Sequence, residues 1–361
     1  MCYEQKYHHH YYSAFFKHRA ICTRPSLTDS NSFSMILLPD PQTYTKFSYN
    51  QPIFDLMMEW INKETEHLNI KAVLCTGDLV EKNDYPLSSV RVNAQGGNGN
   101  MTSMEQWEYI SSAFERIDNK LPYITSPGNH DYGYESAENR QSYFGEYFNT
   151  TRNSKIKESL VSYCPNASGI ATLENSAYEF LGSGWDKILV ITTEFHPRNE
   201  VLDWAAELVK SDEYKEHFVI FMTHSYLSIE SERFTKEGYK AKDPNYGEDI
   251  WNKLVYPSNN IRLVLCGHAA ESSGKFESNV GFRTDKNSAG KDVHQMMFNA
   301  QTMGGGWHGN GGDGWLRIIE FLPDGKSIDV KTFSPFFAIS PTTEKYAKRK
   351  EPFDQFKIVF E

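Results

Sequence analysis

The run KAVLCTGD, residues 71–78, joins a short apolar stretch to a carboxylate through a Thr-Gly pair. Apolar runs of this length, bounded by turn residues, are typical of buried strands in proteins with a parallel sheet. A second run, MILLPD at residues 35–40, also ends in a carboxylate. In open α/β sheets, ligands bind beyond the carboxyl ends of the strands. We therefore predict two strands that deliver Asp40 and Asp78 to a common crevice.

Helical patterns alternate with the apolar runs. In PIFDLMMEWINKETEHL, residues 52–68, the apolar positions fall on one helical face. Another amphipathic pattern follows the apolar run KILVITTEF, residues 187–195. This alternation predicts an α/β fold. The end of the chain differs, because WLRIIEFLPDGKSIDVKTFSP, residues 315–335, is typical of a β-hairpin that turns at Asp324 and Gly325.

The sequence suggests one domain behind an N-terminal arm. The first 34 residues are polar and aromatic without a clear period, so we predict an irregular arm over residues 1–34. From residue 35 to residue 361 we find no internal repeat and no linker rich in Pro, Gly or Ser. We predict a single domain over residues 35–361, including its β-rich C-terminal part.

Composition restricts the partners. With 47 acidic and 37 basic residues the formal net charge is −10, which is the wrong sign for holding a phosphate backbone, so we expect no nucleic acid. No window approaches the roughly 20 apolar residues that cross a bilayer, so we expect no membrane span. No signal peptide is visible, which predicts a cytoplasmic protein as the sequence stands and an exported one if the true start lies upstream. We expect a monomer.

Polar side chains follow five apolar runs and form one candidate site. Carboxylate, amide and imidazole groups together suit a borderline divalent metal such as Mn²⁺, Fe²⁺ or Zn²⁺, whereas an all-oxygen site for Ca²⁺ or Mg²⁺ needs no histidine. No thiolate belongs to the set, which argues for a hydrolytic centre and against a structural zinc site. The candidate residues are Asp40, Gln42, Asp78, Asn129, His130, Asp131, His224 and His268.

The same residues resemble the calcineurin-like metallophosphoesterases, which include the purple acid and Ser/Thr phosphatases. That family's pattern runs D-x-H, GDxx[DN], GNH[DE], a later His, and GHxH. The corresponding blocks occur here in the same order, and the wider sequence looks like a bacterial-type branch of the family. The blocks are DPQ at 40–42, GDLVE at 77–81, GNHD at 128–131, THS at 223–225 and GHAAE at 267–271.

The resemblance implies a fold and an activity. The fold would be a four-layer α/β/β/α sandwich of two mixed sheets flanked by helices. The activity would be the metal-dependent hydrolysis of a phosphate monoester or diester, with a metal-bound hydroxide attacking in line. Two divalent metals, of Mn, Fe or Zn, would share Asp78. Asp40 and Gln42 would serve the first metal, and Asn129, His224 and His268 would serve the second.

The resemblance also assigns the acid of the reaction. His130 would protonate the leaving oxygen as a general acid, which requires it to lie within hydrogen-bond reach of that oxygen. Asp131, its neighbour in the chain, would orient the imidazole or raise its pKa. Both residues are therefore candidate catalytic groups.

Two departures from the family pattern affect the first metal. Gln42 stands where a His is usual, and Ala270 stands where the second His of GHxH would be. An amide oxygen is a weaker donor than imidazole, so we expect a weakened first site and a dinuclear centre only at adequate metal supply. Glu271 is either a replacement ligand or a solvated loop carboxylate. The alternative function is a catalytically impaired metal-binding or interaction module on the same fold.

Overall fold

A computed structural model describes residues 24–85 and 98–361, so most of the predicted arm, residues 1–23, lies outside the described residues. The first strand begins at Phe33, ahead of the predicted domain boundary at residue 35, because Phe33 and Ser34 already pair with Phe321 and Glu320.

The strands are β1 (Phe33–Leu38), β2 (Ile70–Cys75), β3 (Tyr123–Thr125), β4 (Leu160–Tyr163), β5 (Ser176–Gly182), β6 (Trp185–Thr192), β7 (Phe218–Met222), β8 (Ile261–Cys266), β9 (Val280–Lys286), β10 (Asp292–Phe298), β11 (Leu316–Phe321), β12 (Ser327–Phe333) and β13 (Gln355–Val359).

The strands form two mixed sheets. The six-stranded sheet has the order β13-β12-β11-β1-β2-β3, in which β1, β2 and β3 are parallel and β11 runs antiparallel to β1. The seven-stranded sheet has the order β4-β5-β6-β7-β8-β10-β9, with β6, β7, β8 and β10 parallel. The predicted hairpin is confirmed as β11 and β12, with Gly325 at φ 68° in the turn between them. A residue with a side chain would be strained at that φ.

Helices cover the outer face of each sheet. The first long helix begins at Gln51, one residue ahead of the predicted stretch, and buries Phe54, Met57, Met58 and Ile61, as its helical periodicity predicts. The helices are α1 (Gln42–Thr45), α2 (Gln51–Glu64), α3 (Ser103–Glu115), α4 (Phe144–Tyr147), α5 (Ser154–Ser159), α6 (Asn199–Lys210), α7 (Gly247–Ile250), which continues as a π-helix over Trp251–Val255, and α8 (Pro335–Ala338). Among the described residues we find no helix with both the length and the apolar character to cross a bilayer.

Alternation along the strands shows how the layers stack. In β6, Ile188 and Val190 belong to the large core that also contains the first sheet, whereas Leu189 and Ile191 belong to a second core with Leu202 of α6. Since successive strand residues point to opposite faces, the seven-stranded sheet is covered on both sides. The structure thus confirms the predicted α/β class, with two mixed sheets flanked by helices.

Candidate metal centre

The carboxyl ends of parallel strands from both sheets meet at one place. β1 and β2 lead to Asp40 and Asp78, and β7 and β8 lead to His224 and His268. The Asp78 Oδ2 atom lies 3.3 Å from His224 Nε2, and the backbone N–H of His268 donates to Asp40 Oδ2 at 3.1 Å. Asn129, which follows β3, places its Oδ1 atom 3.2 Å from His224 Nε2. The structure therefore brings these five predicted residues together.

Three of the predicted ligands have the spacing of a metal site. One ligand atom from each of Asp78, His224 and His268 lies within 4.8 Å of the other two. His224 and Asp78 are buried, with 0% and 3% of the side chain exposed, and His268 is 13% exposed. The ligand atoms of Asp78, His224 and His268 thus lie in a largely buried position, which is most exposed to solvent on the side of His268.

Hydrogen bonds fix which nitrogen of His224 faces this position. Its Nδ1 atom lies 2.7 Å from the carbonyl oxygen of Thr76, and since a carbonyl only accepts, Nδ1 carries the hydrogen. The remaining nitrogen, Nε2, faces Asp78 and Asn129. A backbone carbonyl behind a ligating imidazole is a usual way of setting its tautomer and orientation.

The carboxylate of Glu237, which no sequence pattern marks, fixes the tautomer and orientation of the His268 imidazole. Nε2 of His268 lies 2.8 Å from Oε1 of Glu237, which leaves Nδ1 of His268 3.2 Å from Nε2 of His224. Two ring nitrogens that both present lone pairs at this distance repel each other unless a cation or a proton lies between them. The donor set and its tautomers therefore fit a divalent metal.

Glu237 links the centre to a further histidine. Its Oε2 atom accepts from Ser225 Oγ at 2.5 Å and lies 2.7 Å from Nε2 of the buried His196. Burial alone would raise the pKa of Glu237, but the hydrogen bonds from His196 and His268 hold that pKa well below its usual range. Glu237 is in a polar loop between β7 and α7, where no strand end or helical period marks it.

The segment that follows β3 carries the predicted acid. The backbone N–H of His130 donates to Asp78 Oδ1 at 2.9 Å, and its ring Nδ1 donates to the carbonyl oxygen of Glu81 at 2.6 Å. The ring is partly exposed, beside the enclosed ligands. Because Nδ1 is engaged, Nε2 is the atom at which His130 can hand over a proton.

The structure contradicts one of the two roles expected of Asp131, the orientation of the His130 ring. Its carboxylate accepts from the backbone N–H groups of Gly128 at 2.8 Å and of Val80 at 3.1 Å, and the residue is fully buried. The carbonyl oxygen of Glu81, and not Asp131, therefore orients the His130 ring. Asp131 instead joins the loop after β2 to the loop after β3. Neighbours in a 3₁₀ turn point in different directions, which the linear sequence does not convey.

Glycines and left-handed backbone bring the motif loops into contact. A Cβ atom on Gly128 would lie 2.1 Å from Asp78 Oδ1, and one on Gly77 would lie 2.1 Å from the carbonyl oxygen of Ser126. Asp78 and His268 themselves have φ values of 52° and 65°. Both residues thus adopt a conformation that side chains other than glycine occupy at a cost.

The position that the resemblance implies for a first metal includes Asp40. Its Oδ1 atom accepts from Thr76 Oγ1 at 2.9 Å, and its Oδ2 atom accepts from Asn299 Nδ2 at 2.6 Å. Gln42, two residues after Asp40 in the chain, is buried, and Gln301 Nε2 lies 3.4 Å from Asp40 Oδ2. Asn299 and Gln301 follow the apolar strand β10, so the strand-end argument could have found them.

The departure in the last motif, Ala270, and its neighbour Glu271 lie at the rim of the site. Ala270 is half-buried and offers no donor from its side chain. Glu271 has an exposed side chain, while its backbone is held by Asn279 Oδ1 at 3.1 Å and by Thr302 Oγ1 at 2.8 Å. This placement favours the solvated interpretation of Glu271 over the replacement ligand.

Metal affinity should depend steeply on pH. Burial opposes charge on His224, but the carboxylates of Asp78 and Asp40 overcome it and raise the pKa of the metal-free ring to about 10. A metal that binds Nε2 must displace this proton, so its apparent affinity should rise about tenfold per pH unit between about pH 7 and 9. Burial, with Asp78 adding to it, raises the pKa of Asp40, so protonation of Asp40 should weaken metal binding further in acid. Calorimetric titration with Mn²⁺ at several pH values tests this, and a flat profile would contradict it.

Comparison with known proteins identifies the class to which this site belongs. The family model described as calcineurin-like phosphoesterase matches residues 40–272, a range that begins at Asp40 and ends just beyond the GHAAE block. The chain therefore belongs to the calcineurin-like phosphoesterase family. Its membership confirms the resemblance drawn from the five motif blocks.

Two particular proteins are similar to this chain. YvnB of Bacillus subtilis strain 168, described as an uncharacterized protein, is 26% identical over 308 residues, which cover 84% of this chain and 20% of YvnB. This chain thus spans about one fifth of the length of that relative. A solved structure described as GAP50, the anchor in the inner membrane complex of Plasmodium, aligns at 12% identity with a TM-score of 0.47, over 91% of this chain and 89% of that one.

Proposed function

We propose that this chain hydrolyses phosphate esters with bound divalent metal ions, using His130 as the general acid. The observation that carries the proposal is the grouping of Asp78, His224 and His268 within 4.8 Å, directly beside the partly exposed ring of His130. A site that only bound metal for structure would have no use for a proton donor at its rim. Family membership supports the same reaction class.

Some residues of the chain would bind the metal ion, and others would orient those ligands. Asp78, Asn129, His224 and His268 would hold the ion, and Glu237 and the Thr76 carbonyl would keep the two imidazoles in ligating tautomers. When bound, divalent metals supply an activated water nucleophile and offset the negative charge of the phosphoryl group.

His130 would deliver a proton to the leaving oxygen. Its backbone N–H is tied to Asp78, and its Nδ1 to Glu81, so both the position and the orientation of the ring are fixed relative to the ligands. Protonation by a positioned imidazole contributes about 10²- to 10⁴-fold when the leaving group is a poor one. The net charge of −10 disfavours a nucleic acid as the ester.

A direct assay tests the proposal. Metal-stripped protein should hydrolyse p-nitrophenyl phosphate or bis-p-nitrophenyl phosphate only after Mn²⁺, Zn²⁺, Fe²⁺ or Mg²⁺ is restored, and the preferred ester would separate a monoesterase from a diesterase. The His224→Asn variant, which lacks one imidazole ligand, should respond weakly to the same ions. Metal binding without turnover on either ester would overturn the proposal.

The second candidate is an impaired binding module. Ala270 removes a donor from the first metal position, and Asp40 Oδ2 already accepts the N–H groups of His268 and Asn299. In such a module these N–H groups would satisfy the Asp40 carboxylate in place of an ion. The assay separates the two candidates, since a module of this kind binds metal at His224 and His268 without hydrolysing either ester.

A further inference from the structure

We propose that the side-chain oxygens of Gln42 and Gln301 complete the first metal position and make it an all-oxygen site for a hard divalent cation, Mg²⁺ or Mn²⁺. The inference rests on the proposed function, because it concerns the second ion of that centre. It replaces the expected weakened first site with a site whose chemistry differs from that of the second.

Two buried amide oxygens lack hydrogen-bond partners. Gln42 is 3% exposed and Gln301 is 1% exposed, and within residues 24–85 and 98–361 neither Oε1 atom finds a donor. A buried acceptor left unpaired is unfavourable, and a native chain rarely tolerates one without a reason. Gln301 contacts the Asp40 carboxylate, and Gln42 follows Asp40 in the chain, so the inference assigns a cation at Asp40 as the missing partner of both oxygens.

Their position relative to Asp40 supports this interpretation. Only Pro41 separates Gln42 from Asp40, and the Gln301 amide reaches Asp40 Oδ2 at 3.4 Å through Nε2. Gln301 and Asn299 lie just beyond β10, which ends at the same edge of the sheet as β8. Gln301 therefore reaches Asp40 from the seven-stranded sheet, whereas Gln42 follows Asp40 beyond β1 of the six-stranded sheet.

Asn299 is a positioning residue and not a ligand in this arrangement. Its Nδ2 atom donates to Asp40 Oδ2 at 2.6 Å and to the carbonyl oxygen of His268 at 3.1 Å. Its Oδ1 atom accepts from the backbone N–H of Gln301 at 3.2 Å. Asn299 thus holds Asp40 and the start of the Gln301 segment together, and it leaves the Gln301 side-chain oxygen free.

The donor chemistry then selects the ion. Asp40 and Asp78 supply carboxylates, and Gln42 and Gln301 supply neutral carbonyl oxygens. Ligands of this kind suit Mg²⁺ and Mn²⁺, whereas imidazoles such as those of His224 and His268 suit Zn²⁺, Fe²⁺ and Mn²⁺. The centre should therefore bind unlike metals, with Mn²⁺ able to occupy both positions.

Methionine substitutions test the two oxygens. Methionine nearly matches glutamine in size but offers a thioether, which is a poor ligand for hard cations. The Gln42→Met/Gln301→Met protein, stripped of metal, would be titrated with Mn²⁺ and followed by equilibrium dialysis and electron paramagnetic resonance. The parent should bind two ions with a spin-coupled signal. The variant should keep one uncoupled ion and lose at least about tenfold in affinity for the other.

Two further variants sharpen the result. Gln355→Met, at an exposed position on β13, is the matched control and should bind two ions like the parent. Gln301→Glu adds a negative oxygen and should tighten the weaker ion by about tenfold or more, which a structural role for Gln301 would not produce. Retention of one Mn²⁺ by the double variant also shows that it is folded.

Several outcomes would overturn the inference. It fails if the double variant binds two Mn²⁺ with the parent's affinity, or if the parent binds only one at saturating Mn²⁺. It also fails if Gln301→Glu leaves the weaker affinity unchanged. Failure of the proposed function is distinguishable, because a parent that binds two ions in the predicted manner without hydrolysing any ester supports this inference and overturns only the enzyme.

Discussion

The Asp78→Asn variant is expected to lose both metal ions and, with them, hydrolysis. Asp78 is buried, lies 3.3 Å from His224 Nε2 and is the carboxylate that the two positions would share. Groups that only support metal ligands change affinity by about 10- to 100-fold, so the loss of a shared carboxylate should exceed about 100-fold. Metal content after dialysis and kcat/KM with saturating Mn²⁺ measure the two effects.

A surface aspartate provides the control for that experiment. Asp212, whose side chain is 98% exposed in a pair with Lys215, can be changed to asparagine with the same loss of charge. The Asp212→Asn protein should retain both ions and full turnover. An Asp78→Asn protein that keeps two equivalents of metal after dialysis would show that Asp78 is not the shared ligand.

The His130→Ala variant should lose turnover while keeping its metal. In the proposed mechanism the ring is not a metal ligand, and alanine retains the backbone N–H that donates to Asp78 at 2.9 Å. With an alkyl phosphate ester, whose leaving oxygen needs a proton, we expect a loss of about 10²- to 10⁴-fold. With a p-nitrophenyl ester the loss should be much smaller, because p-nitrophenolate leaves without a proton.

The comparison between leaving groups decides the role of His130. His67→Ala is a suitable control, since the His67 ring interacts with the carbonyl of Pro25, outside the metal centre. That variant should hydrolyse both esters at the parent's rate. If His130→Ala slowed both esters equally, or lost metal, His130 would be a positioning or ligating residue and not the proton donor.

The sequence predicts the ligand cluster because a simple physical rule governs it. Asp40, Asp78, Asn129, His224 and His268 all lie just beyond buried strands, and parallel strands bring such residues to one edge. The same rule, applied to the run VHQMMFNAQ at residues 293–301, would have added Asn299 and Gln301. The α/β class and the hairpin at Gly325 follow from period and turn residues in the same way.

Other parts of the site depend on contacts between loops. Glu237 lies in a polar segment without a period, and only its 2.8 Å contact with His268 identifies it. Adjacent positions gave the wrong partner for His130, because Asp131 turns back to Gly128 and Val80 while the distant Glu81 carbonyl takes the ring. Which group faces which is settled by the folded backbone and not by spacing in the chain.

The left-handed backbone at Asp78 and His268 lowers the stability of the folded chain, at two residues whose side chains the proposed activity requires. Each costs the folded state about 1–2 kcal/mol relative to a residue free of the Cβ clash, which is a noticeable fraction of a typical domain's stability. Glycine at either position would relieve that cost and remove a donor, so variants selected only for heat resistance would drift toward an inert protein. Ions that bind the folded chain alone would offset the cost by mass action. The heat resistance of the natural chain should therefore depend on its metal supply.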